Sequence, residues 1–136
     1  MQVSEIMHQG LQTIKSTDTI KNAAQIMKDF DIGSIPVYEE SRPVGLITDR
    51  DIVISCVASG ASFDSPVSEA MNPEFVCVRE EQDINEAAKL MKERRLSRIV
   101  VVDQKQQPVG MVTLQDISNN LRDETIKGEI LSKIKH

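Results

Sequence analysis

The residues whose types and spacing could do chemistry are a threonine and an aspartate three positions apart, and this pair occurs twice. Thr48 and Asp51 form the first pair, and Thr113 and Asp116 form the second. A carboxylate can accept hydrogen bonds from two vicinal hydroxyl groups, and a threonine at a helix start lies beside free backbone amides. Each pair could therefore hold a sugar phosphate. Each could also be an N-cap followed by a first-turn acidic residue, as at many helix starts.

Side chains that would support catalysis are scarce. The two histidines lie near the chain ends, and Cys56 and Cys77 stand in unrelated apolar contexts without a Cys-x-x-Cys spacing. This pattern supplies no nucleophile with a base and no metal cluster. We therefore predict no enzymatic activity, no catalytic cofactor and no metal site. The cysteines are expected to be small buried residues in a reducing compartment.

The amino-acid composition limits which classes of binding partner we expect. The 136 residues carry a formal net charge of −5, with no Trp, one Tyr and three Phe. Proteins bind phosphate backbones with clustered Lys and Arg, and they bind single strands with stacked aromatic rings, so we do not expect nucleic acid as a partner of this chain. The amino terminus lacks the pattern of a signal peptide, and no apolar run is long enough to span a bilayer. We expect a soluble, cytoplasmic protein with no membrane partner.

The sequence is an internal duplication. Val3-Ser-Glu-Ile-Met7 recurs as Val67-Ser-Glu-Ala-Met71, and Pro43-Val-Gly-Leu-Ile-Thr48 recurs as Pro108-Val-Gly-Met-Val-Thr113. The register stays constant between these matches except for one residue inserted in the second copy. Chance similarity would not keep one register through a helix, a strand, a turn and another strand, so the chain consists of two homologous repeats.

Each repeat has the pattern of a β-α-β-β-α unit. Apolar residues at Ile20, Ala23, Ala24 and Met27 form one helical stripe, which the second copy repeats from Ile84, where Asp83 with Glu86 can cap the helix. The other predicted strands are a first strand at 11–14 and 75–78 and a hairpin at 34–48 and 98–113, with hairpin turns at 39–43 and 103–108. A second helix is predicted at 49–58 and 114–121, and Gly60 is expected to end the first of these.

The domain organisation follows from the duplication. Residues 1–60 form the first repeat, 61–66 a linker and 67–121 the second repeat. Residues 122–136 have no counterpart, and Ile126, Ile130, Leu131 and Ile134 indicate a helical tail. Because about 60 residues bury little surface alone, the two repeats should pack together.

The two copies resemble CBS domains in their closing segments, Gly-Leu-Ile-Thr-Asp-Arg-Asp-Ile at 45–52 and Gly-Met-Val-Thr-Leu-Gln-Asp-Ile at 110–117. The resemblance covers almost everything from Val3 to Leu121. It implies an α/β (α+β) fold in which two repeats form an intramolecular pair about a pseudo-two-fold axis. It also implies two clefts that take AMP, ADP, ATP, S-adenosylmethionine or NAD-like ligands, and therefore a regulatory role such as energy sensing.

Carried onto this chain, the resemblance implies roles for particular residues. Thr48 and Thr113 would face the ribose or phosphate, and Asp51 and Asp116 would accept hydrogen bonds from ribose hydroxyls. Apolar groups on the strands would enclose the adenine, although most are also candidates for the core. They are Thr13, Ile14, Ile35, Pro36 and Val37 for one cleft, and Cys77, Val78, Ile99, Val100 and Val101 for the other.

Arginines distinguish the two repeats. Arg94, Arg95 and Arg98 lie between the first helix and the next strand of the second repeat, and Arg50 follows Thr48 in the first. Arg98, with Arg95 or Arg50, is a candidate for binding a ligand phosphate, because the planar guanidinium suits that group. A charge cluster of this kind can also be simply a solvated face.

Two further expectations concern partners. CBS pairs often associate into dimers, so by analogy we expect a homodimer that acts on a protein target in trans. The alternative function is a structural or protein-interaction module whose ligand clefts are empty.

Overall fold

The computed structural model describes residues 1–74 and 76–121 and has a mixed α/β fold with two three-stranded sheets. This confirms the predicted fold class. The first sheet contains β1 (Ile14–Lys15), β2 (Ser34–Glu39) and β3 (Arg42–Thr48), with helices α1 (Ile20–Phe30) and α2 (Asp49–Ile52). The second contains β4 (Cys77–Arg79), β5 (Arg98–Val102) and β6 (Pro108–Thr113), with α3 (Ile84–Arg94) and α4 (Leu114–Ser118). No helix of the described residues is long and apolar enough to cross a membrane.

The two sheets have the same topology. In each, the central strand pairs in parallel with the short first strand and antiparallel with the third. The hairpin between β2 and β3 turns through Glu40 and Ser41, whose φ angles of 48° and 67° are both left-handed. Two left-handed residues match the twist of a two-residue hairpin. The predicted turn at 39–43 is therefore shorter in the structure, and Pro43 lies within β3.

The first helix of each repeat forms as predicted, and its apolar stripe is buried except at Ala24 of the first repeat, which is exposed. Ile20, Ala23 and Met27 of α1 are buried, as are the matching residues of α3. Thr19 caps α1 by accepting a hydrogen bond from the Asn22 amide, and Asp83 caps α3 by accepting one from the Asn85 amide. The stripes therefore bury one face of each helix against its own sheet.

The short first strands differ from the prediction. β1 begins at Ile14, not at residue 11, and only Ile14 and Lys15 pair with β2. Gly10 has φ 78°, a left-handed conformation that breaks an extended run, and residues 11–13 make no ladder pairs. β4 likewise begins at Cys77, and Phe75, where the prediction placed its start, lies outside the described residues.

The closing helices also differ from a simple α-helix. After α2 the chain continues as a π-helix over Val53–Ala58, and Gly60 follows it with φ 76°. Residues 49–58 are thus helical throughout, as predicted, and Gly60 takes the left-handed conformation common just beyond a helix end. α4 ends at Ser118, earlier than the predicted Leu121. The predicted tail with Ile126, Ile130, Leu131 and Ile134 lies outside the described residues.

The chain divides into two compact units whose boundaries differ from those of the sequence repeats. One unit comprises residues 12–74 of the described chain, and the other comprises residues 1–11 together with 76–121. The leading segment of each repeat therefore packs with the sheet of the other repeat. Val3 donates its amide hydrogen to Gln82 O at 2.8 Å, and Val67 donates to Asp18 O at 2.7 Å. Val3 and Val67 are completely buried in the cores of these units.

A glycine in the last strand of each sheet permits this packing. A Cβ on Gly45 would lie 2.5 Å from Asn72 O, and a Cβ on Gly110 would lie 2.8 Å from both His8 O and Met7 Sδ. Real Cβ atoms essentially never lie within 3.0 Å of such atoms. Glycine is therefore required at both positions for the leading segment to lie against the strand.

We predict that Gly110→Ala lowers the free energy of unfolding by about 1–3 kcal/mol, because the new methyl group must displace the segment that contains Met7 and His8. Urea denaturation checks this value. Lys105→Ala in the exposed hairpin turn is the control and should stay within about 0.5 kcal/mol of wild type. A Gly110→Ala protein as stable as the control would contradict the close approach.

Candidate nucleotide-binding corners

The first threonine and aspartate pair forms a reciprocal capping box at the start of α2. The Asp51 amide donates to Thr48 Oγ1 at 3.1 Å, and the Thr48 amide donates to Asp51 Oδ2 at 2.9 Å. Both side chains are partly buried. Asp51 Oδ1 has no hydrogen bond within the described residues, so this carboxylate caps the helix with one oxygen and keeps the other available.

The second pair repeats this box and adds two contacts. The Asp116 amide donates to Thr113 Oγ1 at 3.1 Å, and the Thr113 amide donates to Asp116 Oδ2 at 3.3 Å. Thr113 Oγ1 also donates to Asp116 Oδ2 at 2.8 Å. His8 Nε2 lies 2.8 Å from the same oxygen, so that nitrogen carries the donated proton. The helix-cap interpretation of both pairs is thus realised in the structure, with acceptor capacity remaining.

These contacts affect the ionisation of Asp116. Partial burial raises the pKa of this carboxyl, but the hydrogen bonds from Thr113 Oγ1, the Thr113 amide and His8 outweigh burial, so the net pKa lies below the ordinary value. Hydrogen bonds to a carboxylate favour its charged form. Asp116 is therefore held as an anion.

The sheet register places a different residue opposite each threonine. Thr48 pairs with Ser34, which is buried at the start of β2, and Thr113 pairs with Arg98, which is exposed at the start of β5. Directly paired residues have Cβ atoms about 5 Å apart. We name Ser34, Thr48 and Asp51 the first corner, and Arg98, Thr113 and Asp116 the second corner.

Most predicted adenine contacts lie in the hydrophobic cores. One core, shared with α1, contains Ile14, Ile35 and Val37. The other, shared with α3, contains the matching residues of the second unit, Val78, Ile99 and Val101. The remaining candidates belong to neither core: Pro36 and Val100 are buried, Cys77 is half-buried and Thr13 is exposed. Because side chains alternate along a strand, Pro36 and Val100 face away from the core residues beside them.

The candidate arginines are all exposed, but they have different settings. Arg94 and Arg95 lie at the carboxyl end of α3, where positive charge is favourable, and Arg95 has a left-handed φ of 56°. Arg98 has no ion pair or side-chain hydrogen bond within the described residues. Arg50 lies in the first turn of α2, directly after the Asp49 side chain that accepts its amide hydrogen. Strand pairing therefore places Arg98 beside Thr113. Arg50 lies near Thr48 because it is two positions further along the chain.

The cysteines are free and half-buried. Burial raises the pKa of the Cys77 thiol, which disfavours the reactive thiolate. Within residues 1–74 and 76–121, no three His, Cys, Asp or Glu side chains are grouped to hold a metal ion.

Sequence reasoning missed two residues, Ser34 in the first corner and His8 beside the second. It did not place His8 against Asp116, and it did not single out Ser34. The repeat alignment contained a signal for His8, because Met7-His8 and Met71-Asn72 are matched positions near the start of the two copies. Only the structure shows that the first of these segments lies against the second sheet.

A duplicated β-α-β-β-α unit with a threonine and aspartate corner in each copy defines a tandem-repeat α/β domain pair. The family model for the CBS domain matches residues 3–57 and 67–123. The chain therefore belongs to the CBS domain family, which confirms the resemblance seen in the sequence. The CBS domain-containing protein YhcV of Bacillus subtilis is 34% identical over 134 residues, covering 98% of this chain and 95% of YhcV.

Solved structures share the fold. Hypoxic Response Protein I, with two coordinated zinc ions, has 31% identity and a TM-score of 0.77, covering 89% of this chain and 99% of its own. The CBS domain pair of protein MJ0100, in complex with 5′-methylthioadenosine and S-adenosyl-L-methionine, has 28% identity and a TM-score of 0.75, covering 88% and 94%. The cytosolic domain of the Mg²⁺ channel MgtE, in complex with ATP, has 26% identity and a TM-score of 0.77, covering 88% and 48%.

The lowered pKa of Asp116 predicts a pH-dependent contribution to stability. A depressed folded-state pKa stabilises the protein above the unfolded value of about 3.9, and this stabilisation is lost as pH falls through the folded pKa. We therefore expect wild type to be more stable than Asp116→Asn near neutral pH, and the difference to shrink below about pH 4. Thermal unfolding across this range measures it, and a difference that grows on acidification would contradict the contacts at Asp116.

Proposed function

We propose that this protein is a regulatory module that binds an adenosine-containing ligand at its two corners and signals to a partner protein in trans. The supporting observation is that both corners keep a threonine and an aspartate in matched positions, in a chain 28% identical to a CBS pair solved with two adenosine compounds. The candidate ligands are AMP, ADP, ATP, S-adenosylmethionine and NAD-like molecules. With AMP, ADP or ATP, the module would report the energy state of the cell.

The two aspartates are the proposed ribose contacts. Asp51 Oδ1 and Asp116 Oδ1 accept no hydrogen bond within the described residues, and each lies beside a threonine hydroxyl that already caps a helix. A carboxylate can accept one hydroxyl on each of its two oxygens, which suits a vicinal diol. In this proposal Asp51 and Asp116 bind ribose hydroxyls, while Thr48 and Thr113 hold the carboxylates in place and face the ribose or phosphate.

The proposed adenine contacts divide into two groups. The side chains of Thr13, Pro36, Cys77 and Val100 lie outside the helix-side cores, so they can contact a base without unpacking the fold. The core residues contribute through backbone atoms, whose carbonyl and amide groups can read the edge of a base. These core residues are Ile14, Ile35, Val37, Val78, Ile99 and Val101.

The arginines give the two corners different preferences for phosphate. Arg98 is exposed opposite Thr113 and has no partner within residues 1–74 and 76–121, whereas the matching residue of the first corner is the neutral Ser34. A guanidinium binds phosphate oxygens in a planar, two-pronged geometry. We therefore assign a phosphate contact to Arg98 in the second corner and to Arg50 in the first.

Asp51→Ala and Asp116→Ala test the ribose assignment by calorimetry with adenosine, AMP, ATP and S-adenosylmethionine. Losing a hydrogen-bonded charge should cost about 1.5–3 kcal/mol of binding at the altered corner, or on the order of a tenfold to hundredfold in affinity. Each variant should also lose about 0.5–1 kcal/mol of stability, because the helix start loses its capping box.

Asp49→Ala is the matched control for this experiment. It removes the same charge from the same helical turn, but within the described part of the chain the Asp49 side chain accepts only the Arg50 amide hydrogen. Its ligand affinity should stay near that of wild type. Equal losses from Asp49→Ala and Asp51→Ala would show a general charge effect, and wild-type protein that binds none of the four compounds would refute the proposed function.

A second candidate, a protein-interaction module, is favoured by exposed apolar side chains on the first unit. Val53, Ile54 and Val57 of the π-helix are 56%, 46% and 80% exposed. Val57 lies four positions after Val53 and three after Ile54, and these spacings make side chains neighbours on a helix surface. In the second repeat the residues matched to Val53 and Ile54 are Ser118 and Asn119, so this apolar surface belongs to one repeat. We propose that it supports the homodimer expected by analogy with other CBS pairs.

We predict that Val57→Asp shifts the protein from dimer to monomer, because a charge buried in an apolar interface lacks a partner. Light scattering after size-exclusion chromatography measures the mass. Asn119→Asp adds the same charge to the matched helix of the second repeat and should leave the dimer intact. A monomeric wild-type protein, or a dimer that survives Val57→Asp, would exclude this interface.

A further inference from the structure

The two leading segments enter the two sheets in the same way. His8 and Met111 exchange backbone hydrogen bonds of 2.9 and 3.0 Å, and Asn72 and Leu46 exchange bonds of 2.9 and 3.0 Å. Each pair is an isolated antiparallel bridge beside the last strand of its sheet. His8 and Asn72 therefore occupy equivalent positions, one next to each corner.

Their side chains make different contacts. His8 Nε2 lies 2.8 Å from Asp116 Oδ2, although 68% of the His8 side chain is exposed. Asn72 instead turns back on its own segment, where its Oδ1 accepts the Glu74 amide hydrogen at 3.0 Å. The first corner thus has no counterpart of the histidine contact. Within the described residues, no side chain of the leading segment donates a hydrogen bond to Asp51.

The His8 contact leaves Asp116 with fewer free hydrogen-bond acceptor positions than Asp51. Asp116 Oδ2 receives three donors, namely His8 Nε2, Thr113 Oγ1 and the Thr113 amide. Among residues 1–74 and 76–121, Asp51 Oδ2 receives only the Thr48 amide. Since a carboxylate has about four lone-pair positions on two oxygens, Oδ2 of Asp116 is saturated and Oδ2 of Asp51 is not. A vicinal diol that needs both oxygens can bind Asp51 directly, but it must displace His8 from Asp116.

We propose that His8 sets the ligand affinity of the second corner by occupying the acceptor that the first corner leaves open. His8 is a positioning residue in this scheme, since it acts through Asp116. The inference rests on the proposed function, because the competing groups are ligand hydroxyls. Its consequence is that the corners bind one adenosine compound with unequal affinity, and that the first corner fills before the second.

Reciprocal substitutions at the matched positions provide the test, with adenosine as the probe and calorimetry as the measurement. Asp51→Ala isolates the second corner, and in that background His8→Asn should tighten adenosine binding by about threefold to tenfold, the range expected for an exposed contact to a charged group. Asp116→Ala isolates the first corner, and there Asn72→His should weaken binding by a similar factor.

Two further measurements separate competition from a general effect of the histidine. In the Asp116→Ala background, where only the first corner binds, His8→Asn should leave the adenosine affinity unchanged, because His8 acts through Asp116 and the two side chains form a pair. The gain should also shrink when 2′-deoxyadenosine replaces adenosine, since a single hydroxyl can bind Asp116 Oδ1 without displacing His8. Melting temperatures of the single variants near wild type establish that the fold is intact.

The outcomes distinguish the inference from the proposed function. If wild type and all variants fail to bind adenosine, AMP, ATP and S-adenosylmethionine, the proposed function is refuted and the inference falls with it. If adenosine does not bind but one of the other three compounds does, that compound is the probe for the same comparison. If adenosine binds at both corners and His8→Asn leaves its affinity unchanged or weakens it, only the inference is overturned. In the case of weakening, His8 would be a direct ligand contact.

Discussion

The structure depends on the antiparallel bridge between each leading segment and the last strand of the other repeat's sheet. This bridge exists only because Gly45 and Gly110 present no side chain where the segment's carbonyl oxygen and methionine must lie. Once the segment is seated, Val3 and Val67 complete the two cores with fully buried side chains. Each unit thereby takes its sheet from one repeat and a part of its core from the other, and neither repeat has a complete core alone.

The exchange also makes the two corners unequal. If each leading segment packed on its own sheet, His8 would accompany Thr48 and Asp51, and Asn72 would accompany the second pair. The observed pairing instead adds a histidine to the corner that already contains Arg98. Donors are therefore concentrated around Asp116, while the positions of the first corner that match Arg98 and His8 hold the neutral residues Ser34 and Asn72. The two copies of the repeat therefore form two sites of different electrostatic character.

Much of the fold could be predicted because its signals are local. The stripe that begins at Ile20, the cap at Asp83 and the constant register of the duplication each reflect contacts within one repeat. The exchanged segments could not be predicted, because a repeat alignment does not specify which sheet a short segment joins. The predicted length of β1 was too great for a related reason. Residues 11–13 are suited to a strand, but a strand forms only where it has a pairing partner. In β1 only Ile14 and Lys15 pair with β2.

At the candidate site, too, the residue types could be predicted from the sequence but their contacts could not. Sequence identified Thr48 with Asp51 and Thr113 with Asp116, and it left open whether they cap helices or bind ligand. In the structure these roles are compatible, because capping uses one carboxylate oxygen and leaves the other available. The box also fixes each carboxylate before a ligand arrives, so less side-chain freedom is lost on binding. A capping aspartate is thus a suitable ligand residue because its position is already determined by the fold.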